Sequence, residues 1–284
     1  MKNTATLLIT CPDAKGIVAS IAEFLYQHNA NILHADQHQD AENNLFLMRV
    51  EWDVAGFNLD EAAFKQKFES IAAKFSMVWQ LKLSQHKTRV AIMVSHYDHC
   101  LADLLHRYKN GELVCEIPLI ISNHHDTEAL AKFYGVDFHH IEVTKDNKAQ
   151  AEAAQFKLFD DYKIDLIVLA RYMQILSGDF VARYPQRVIN IHHSFLPAFV
   201  GAKPYHRAFE RGVKLIGATA HYVTEVLDEG PIIEQDIDRI SHRDQVEDLI
   251  QKGRDLERSV LAKAVRWHIE NRILLYANKT VIFD

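Results

Sequence analysis

The sequence predicts an α/β chain of two domains. A ferredoxin-like βαββαβ module is expected over residues 1–84, and a Rossmann-like, doubly wound, mostly parallel sheet over 88–284. Three observations carry this expectation. The length of 284 residues suits two domains at roughly 150 residues each. In the first 84 residues the apolar pattern switches between period two and the helical period in the order β-α-β-β-α-β. Beyond the polar joint Ser84-Gln85-His86-Lys87-Thr88, strand patterns alternate with helical ones, which is how parallel sheets are built.

Residues 5–10 (ATLLIT) form a strand that Pro12-Asp13 breaks. Ile17, Val18, Ile21, Phe24 and Leu25 then recur at helical spacing, and the helix closes near Asn29. Residues 31–38 and 45–52 are expected as strands around a turn at Asn43-Asn44. Leu59 to Phe75 carries Phe64, Phe68, Ile71, Ala72 and Phe75 on or near one helical face, and Met77 to Leu83 alternates like a half-buried strand. In the second domain strands are expected at 89–94, 117–121, 138–142, 165–170, 187–192, 214–222 and 231–237. Helices are expected at 98–108, 127–134 and 147–162, with one long closing helix over 244–276.

Composition excludes several classes. Hydrophobic residues at 48% and charged residues at 25% are the ordinary soluble mixture. Ten glycines and six prolines are too few for a disordered or collagen-like chain. The longest apolar runs have five residues, whereas a membrane helix needs about 20. The N-terminal MKNTATLLITCPDAKG is too short in apolar residues for a secretory leader, so a cytoplasmic protein is expected. With 32 basic against 38 acidic residues the net charge is −6, which argues against a nucleic-acid partner. Cys11, Cys100 and Cys115 form no CxxC pair and support neither a disulfide framework nor a zinc site. The adjacent pairs His124–His125 and His139–His140 lack the i, i+4 spacing of a helical metal motif, and no metal is expected.

Three segments hold candidate chemistry. In Val188-Ile189-Asn190-Ile191-His192-His193-Ser194-Phe195-Leu196-Pro197, Asn190 and His192 are two apart and face one side of a strand. An amide and an imidazole aimed at one point suit an oxyanion; the strand pattern alone favours a polar strand end with both groups satisfied. In His221-Tyr222-Val223-Thr224-Glu225-Val226-Leu227-Asp228-Glu229-Gly230-Pro231, Asp228 is either a turn residue bonded to its own backbone or a general base at the sheet rim. In Leu169-Ala170-Arg171-Tyr172-Met173-Gln174-Ile175-Leu176, the apolar residues are either core or pocket wall.

Taken together, these segments resemble the formyltetrahydrofolate-dependent formyltransferase family from about residue 88 onward. The resemblance rests on Asn190-Ile191-His192 followed by Ser194, Leu196-Pro197 and Gly201, then His221, Thr224 and Asp228 at the family's spacing. It implies that Asn190 and His192 stabilise the formyl oxygen, with His192 as a cation, and that Asp228 positions and deprotonates the nucleophile. It assigns substrate binding to Met173, Gln174, Ile175, Leu176, His221, Thr224, Glu225 and Val226, as pterin walls and supporting groups. Gln174 stands where transferase relatives often carry Arg.

The first 84 residues resemble an ACT domain, through Cys11-Pro12-Asp13-Ala14-Lys15-Gly16-Ile17 and Asn29-Ala30-Asn31-Ile32. That resemblance implies a homo-oligomer, a tetramer being favoured, and an amino-acid effector held by Asp13, Gly16 and Ile17. An ACT module joined to a folate formyl domain implies hydrolysis of 10-formyltetrahydrofolate to tetrahydrofolate and formate, with no tightly bound cofactor. It would balance the one-carbon pool and supply formate for purine synthesis. The alternative is transfer of the formyl group to glycinamide ribonucleotide or methionyl-tRNA. The turn Ser95-His96-Tyr97-Asp98-His99-Cys100 favours water, because it has no glycine to let backbone N–H groups close around a phosphate and it adds a carboxylate.

Overall fold

The computed structural model describes residues 3–197 and 204–283, which divide into two compact units. The first comprises Met1–Lys87 with Glu270–Asp284, the second Thr88–Ile269. Gly201 of the sequence motif lies outside the described residues.

In the first unit β1 (Thr4–Pro12), α1 (Ile17–Gln27), β2 (Asn31–Asp40), β3 (Leu45–Asp53), α2 (Glu61–Phe75) and β4 (Val78–Leu83) follow the expected order. The sheet is antiparallel with strand order β2-β3-β1-β4. Alternation sends Leu7, Ile9 and Cys11 of β1 and Met48, Val50 and Trp52 of β3 to one face. There they pack with Ile17, Ile21 and Leu25 of α1 and Phe64, Phe68 and Ala72 of α2. Phe64 stacks on Phe68 at 5.3 Å and Trp79 meets Phe68 edge-on at 5.1 Å, geometries the aromatic quadrupole favours. The Asp60 side chain caps α2 by accepting from the Ala63 N–H at 2.7 Å. Gly16 precedes α1 at a φ of +93°, a conformation that glycine adopts without steric cost.

The second unit contains β5 (Arg89–Val94), α3 (His99–Lys109), β6 (Glu116–Ser122), α4 (Glu128–Tyr134), β7 (Asp137–His140), α5 (Lys148–Asp161) and β8 (Leu166–Ala170). It continues with α6 (Gly178–Arg183), β9 (Val188–His192), α7 (Pro204–Arg211), β10 (Leu215–Tyr222), β11 (Ile232–Arg239) and α8 (Val246–Ile269). The sheet order is β11-β10-β9-β8-β5-β6-β7, parallel from β9 to β7 and antiparallel at β10 and β11. Every residue of β8 and all but the first of β5 are buried, as expected of strands covered on both faces. The chain leaves β5 toward β6 and β7, then returns to β8 on the other side of β5. That reversal creates a switch point at the carboxyl ends of β5 and β8, where open α/β sheets bind ligands.

Three features differ from the sequence expectation. The closing helix expected over 244–276 stops at Ile269, and β12 (Ile273–Tyr276) pairs antiparallel with β13 (Lys279–Ile282). Asn271 at a φ of +53° and Ala277 at +48° take a conformation that a right-handed helix cannot pass through. The apolar run 273–277 hides that change of period in the sequence. The boundary expected at 284 differs as well, because Glu270–Asp284 groups with the first unit. There the Arg49 Nε donates to the Asn271 carbonyl at 2.9 Å, and its Nη2 donates to Glu51 at 2.7 Å. Finally, α6 and α7, of six and eight residues, are too short to show a helical period. Among the described residues no helix is long and apolar enough to cross a membrane.

Candidate active site

β5, β8 and β9 end side by side, and the chain after each contributes to one site. The loop after β8 is pinned at both ends. The Met173 N–H donates to Ser95 Oγ at 3.1 Å, and that hydroxyl donates to Asn123 Oδ1 at 2.6 Å. At its far end the Ser177 N–H donates to Glu152 at 2.9 Å, while Ser177 Oγ accepts from the Phe180 N–H and caps α6. Between the pins Met173 and Ile175 remain 55% and 63% exposed, so they are wall rather than core.

Asn190 and His192 project from the same face of β9. β10 runs antiparallel beside it and sets His221 opposite Asn190, with Asn190 Nδ2 3.2 Å from His221 Nε2. His221 Nδ1 lies 3.0 Å from the Tyr222 carbonyl, which can only accept. That nitrogen therefore carries a hydrogen.

The chain after β10 turns back and delivers Asp228. Its Oδ2 is 3.3 Å from His192 Nδ1 and its Oδ1 is 3.6 Å from His221 Nε2. Asp228 sits at a φ of +59°, which aspartate tolerates better than most residues. Gly230 is required by space: a Cβ there would lie 1.7 Å from the Tyr222 carbonyl oxygen. Burial pushes the Asp228 carboxyl up, but hydrogen bonds and charge from His192 and His221 outweigh it and hold the group well below the usual carboxylate range. Asp228 is thus an anion at neutral pH. His192 has a side chain 6% exposed, and its Nε2 is buried with no hydrogen-bond partner among the described residues.

These groups share a cavity of about 320 Å³. Asn190, His192, His221 and Asp228 form its polar end, and Met173, Gln174, Ile175 and Leu176 line it together with Thr224 and Glu225. Of the residues expected from sequence, Val226 stands apart. It is 57% exposed and does not line the cavity, though its carbonyl accepts from Thr224 Oγ1 at 3.1 Å. Arg171, His193, Val223 and Leu227 line the cavity as well. Neither strand alternation nor spacing marks them in the sequence; only Arg171, at the end of a buried strand, sits where a sheet presents ligand groups.

In the first unit Asp13 accepts from Gln39 Nε2 at 2.6 Å, and Gly16 is exposed at the start of α1. Ile17 is 2% exposed and belongs to the core, so it can offer a ligand only its backbone N–H. In the second unit, His96, His124 and Asp126 approach one another across two loops. His96 Nδ1 is 3.0 Å from Asp126, and the His96 and His124 rings stack at 3.5 Å and 22°. Stacked imidazoles send their in-plane lone pairs along near-parallel lines, a poor geometry for two ligands converging on one ion.

Residues 88–265 match the formyl transferase family and residues 5–73 the ACT domain. The formyltetrahydrofolate deformylase of Synechocystis sp. is 58% identical over 99% of this chain and 98% of its own length. The chain belongs to the formyltetrahydrofolate deformylase family. A deformylase from Bacillus subtilis is 51% identical over 98% of this chain and 93% of its own. The crystal structure of a formyltetrahydrofolate deformylase from Pseudomonas syringae pv. tomato matches 100% of this chain and 95% of its own, with a TM-score of 0.97 at 48% identity. The chain is also similar in fold to glycinamide ribonucleotide transformylase 1 of Symbiobacterium toebii. That likeness covers 72% of this chain and 98% of the other, with a TM-score of 0.67 at 30% identity.

Proposed function

We propose that this member of the deformylase family hydrolyses 10-formyltetrahydrofolate to tetrahydrofolate and formate. The observation that carries the reading is the convergence of an ionised Asp228, a buried His192 with an unpartnered Nε2, and Asn190 at the polar end of one cavity. Met173, Gln174, Ile175 and Leu176 supply walls for the pterin, with Thr224 and Glu225 beside them. Water attacks the formyl carbon while Asp228 takes its proton. The oxyanion that forms is met by the His192 imidazolium and the Asn190 amide. His221 Nε2 lies beside that amide and faces the Asp228 carboxylate. Asp228 then helps deliver a proton to N10 as the carbon–nitrogen bond breaks, and formate leaves. These steps use side chains and water alone, so no tightly bound cofactor is proposed.

Transfer to glycinamide ribonucleotide or methionyl-tRNA is the weaker reading. The turn after β5 offers a phosphate no glycine and adds the carboxylate of Asp98, and its Tyr97 is bulky and 45% exposed. The net charge of −6 is also poorly suited to tRNA. The reaction would act in the cytoplasm to balance the one-carbon pool and supply formate for purine synthesis. Added glycinamide ribonucleotide should leave the rate of formate release unchanged and acquire no formyl group; transfer at a rate matching hydrolysis contradicts the reading.

The N-terminal unit is proposed to assemble copies of the chain, a tetramer being favoured, and to bind a free amino acid at Asp13 and the N–H groups of Gly16 and Ile17. Calorimetric titration of the full chain with the common amino acids, alongside sedimentation, is expected to give saturable heat for at least one of them and a mass above that of one chain. A screen without binding leaves the unit an assembly role alone.

A further inference from the structure

Behind Arg171, which lines the cavity, lies a buried charged cluster that the hydrolytic steps leave unused. Arg171 follows β8 at a φ of +64°, the region where glycine is at ease and a long side chain is not. Its side chain is only 11% exposed and lines the same cavity as Asn190, His192 and Asp228. The guanidinium is held on three sides. Nη1 donates to His193 Nδ1 at 2.6 Å, Nε makes an ion pair with Glu257 at 3.4 Å, and the group lies over the Tyr97 ring at 5.4 Å. Glu257, on α8 and 1% exposed, also accepts from the Tyr205 hydroxyl at 2.7 Å and lies 2.8 Å from His99 Nε2. Gly253 permits this packing, since a Cβ there would lie 2.1 Å from the Tyr205 hydroxyl oxygen.

Buried ion clusters seldom outdo well-packed apolar side chains for stability. Together with a strained backbone beside a reaction centre, that points to a functional return. We infer that Arg171 is a specificity-determining residue, which fills the side of the cavity from which an amine would approach the formyl carbon and leaves room for water. The inference rests on the hydrolytic reading above. The apolar loop takes the folate, so the nucleophile must come from the polar side, where Arg171 and His193 stand. Because a guanidinium can only donate, His193 Nδ1 accepts from Arg171. His193 in turn stacks on His192 at 5.0 Å and 17°, which links Arg171 to that imidazole.

Without the Arg171 side chain, a primary amine has space to do what water does. Its nitrogen bonds to the formyl carbon, the bond from that carbon to N10 breaks, and the proton the amine loses passes through Asp228 to N10. The products are an N-formyl amine and tetrahydrofolate. Glycinamide serves as the probe. Arg171→Gly relieves the backbone, and Arg171→Asn is a second variant that tolerates a positive φ. Both full-length variants are expected to raise the ratio of N-formylglycinamide to formate by roughly tenfold or more over the unaltered chain, while Arg171→Lys stays hydrolytic. An unchanged ratio in the two shortened variants, with formate still released, overturns the inference. Absence of formate release by the unaltered chain overturns instead the hydrolytic reading on which it rests.

Discussion

Asp228→Asn is expected to slow formate release from 10-formyltetrahydrofolate by roughly 100-fold or more. The substitution keeps the shape of the side chain, and asparagine accepts the φ of +59° at this position, so the loss is chemical rather than structural. What disappears is an anion 3.3 Å from His192 Nδ1, which the proposed mechanism uses to take a proton from water. The pH dependence of stability follows from the same carboxyl. Its folded value is depressed, so the stability it adds is present above the unfolded range, about pH 4, and is lost as pH falls through the folded value. Thermal unfolding curves of the Asn variant and the unaltered chain should therefore converge as the pH is lowered below about 4. Near-normal turnover in Asp228→Asn contradicts the assignment.

His192→Ala is expected to cost on the order of 10²- to 10³-fold, mainly in kcat. Charge builds on the formyl oxygen only as the tetrahedral intermediate forms, so an imidazolium that meets it acts on the transition state more than on bound folate. Removal also takes from Asp228 its first hydrogen-bonding partner and lets that carboxyl rise toward the usual range. A variant with an intact kcat and a raised KM would assign His192 to binding instead.

Legibility in the sequence follows the range of the physical signal. Strand alternation is local, so it suffices by itself to set the β9 pair Asn190 and His192 on one face. The βαββαβ order and the parallel second sheet are legible for the same reason, since runs such as 89–94 and 166–170 state their burial directly. Pattern does not place Asp228. It reaches His192 only because the loop takes a left-handed turn at Asp228 and comes within contact of the Tyr222 carbonyl at Gly230. Arg171 and Glu257 are 86 residues apart yet form one buried ion pair, a meeting no period predicts. The His96–His124 stack likewise joins the ends of β5 and β6, and helical i, i+4 spacing does not describe such a pair. At the C-terminus the signal misleads, because Ile273–Ala277 continues the apolar content of α8 while its backbone has already changed to a strand.

The most direct measurement is the stoichiometry of products from 10-formyltetrahydrofolate and the purified full-length chain, with no amine acceptor in the reaction. The account predicts sustained turnover that yields formate and tetrahydrofolate in equal amounts, unchanged when glycinamide ribonucleotide is added. Turnover that waits for an acceptor, or formyl groups recovered on that nucleotide in place of formate, would contradict it.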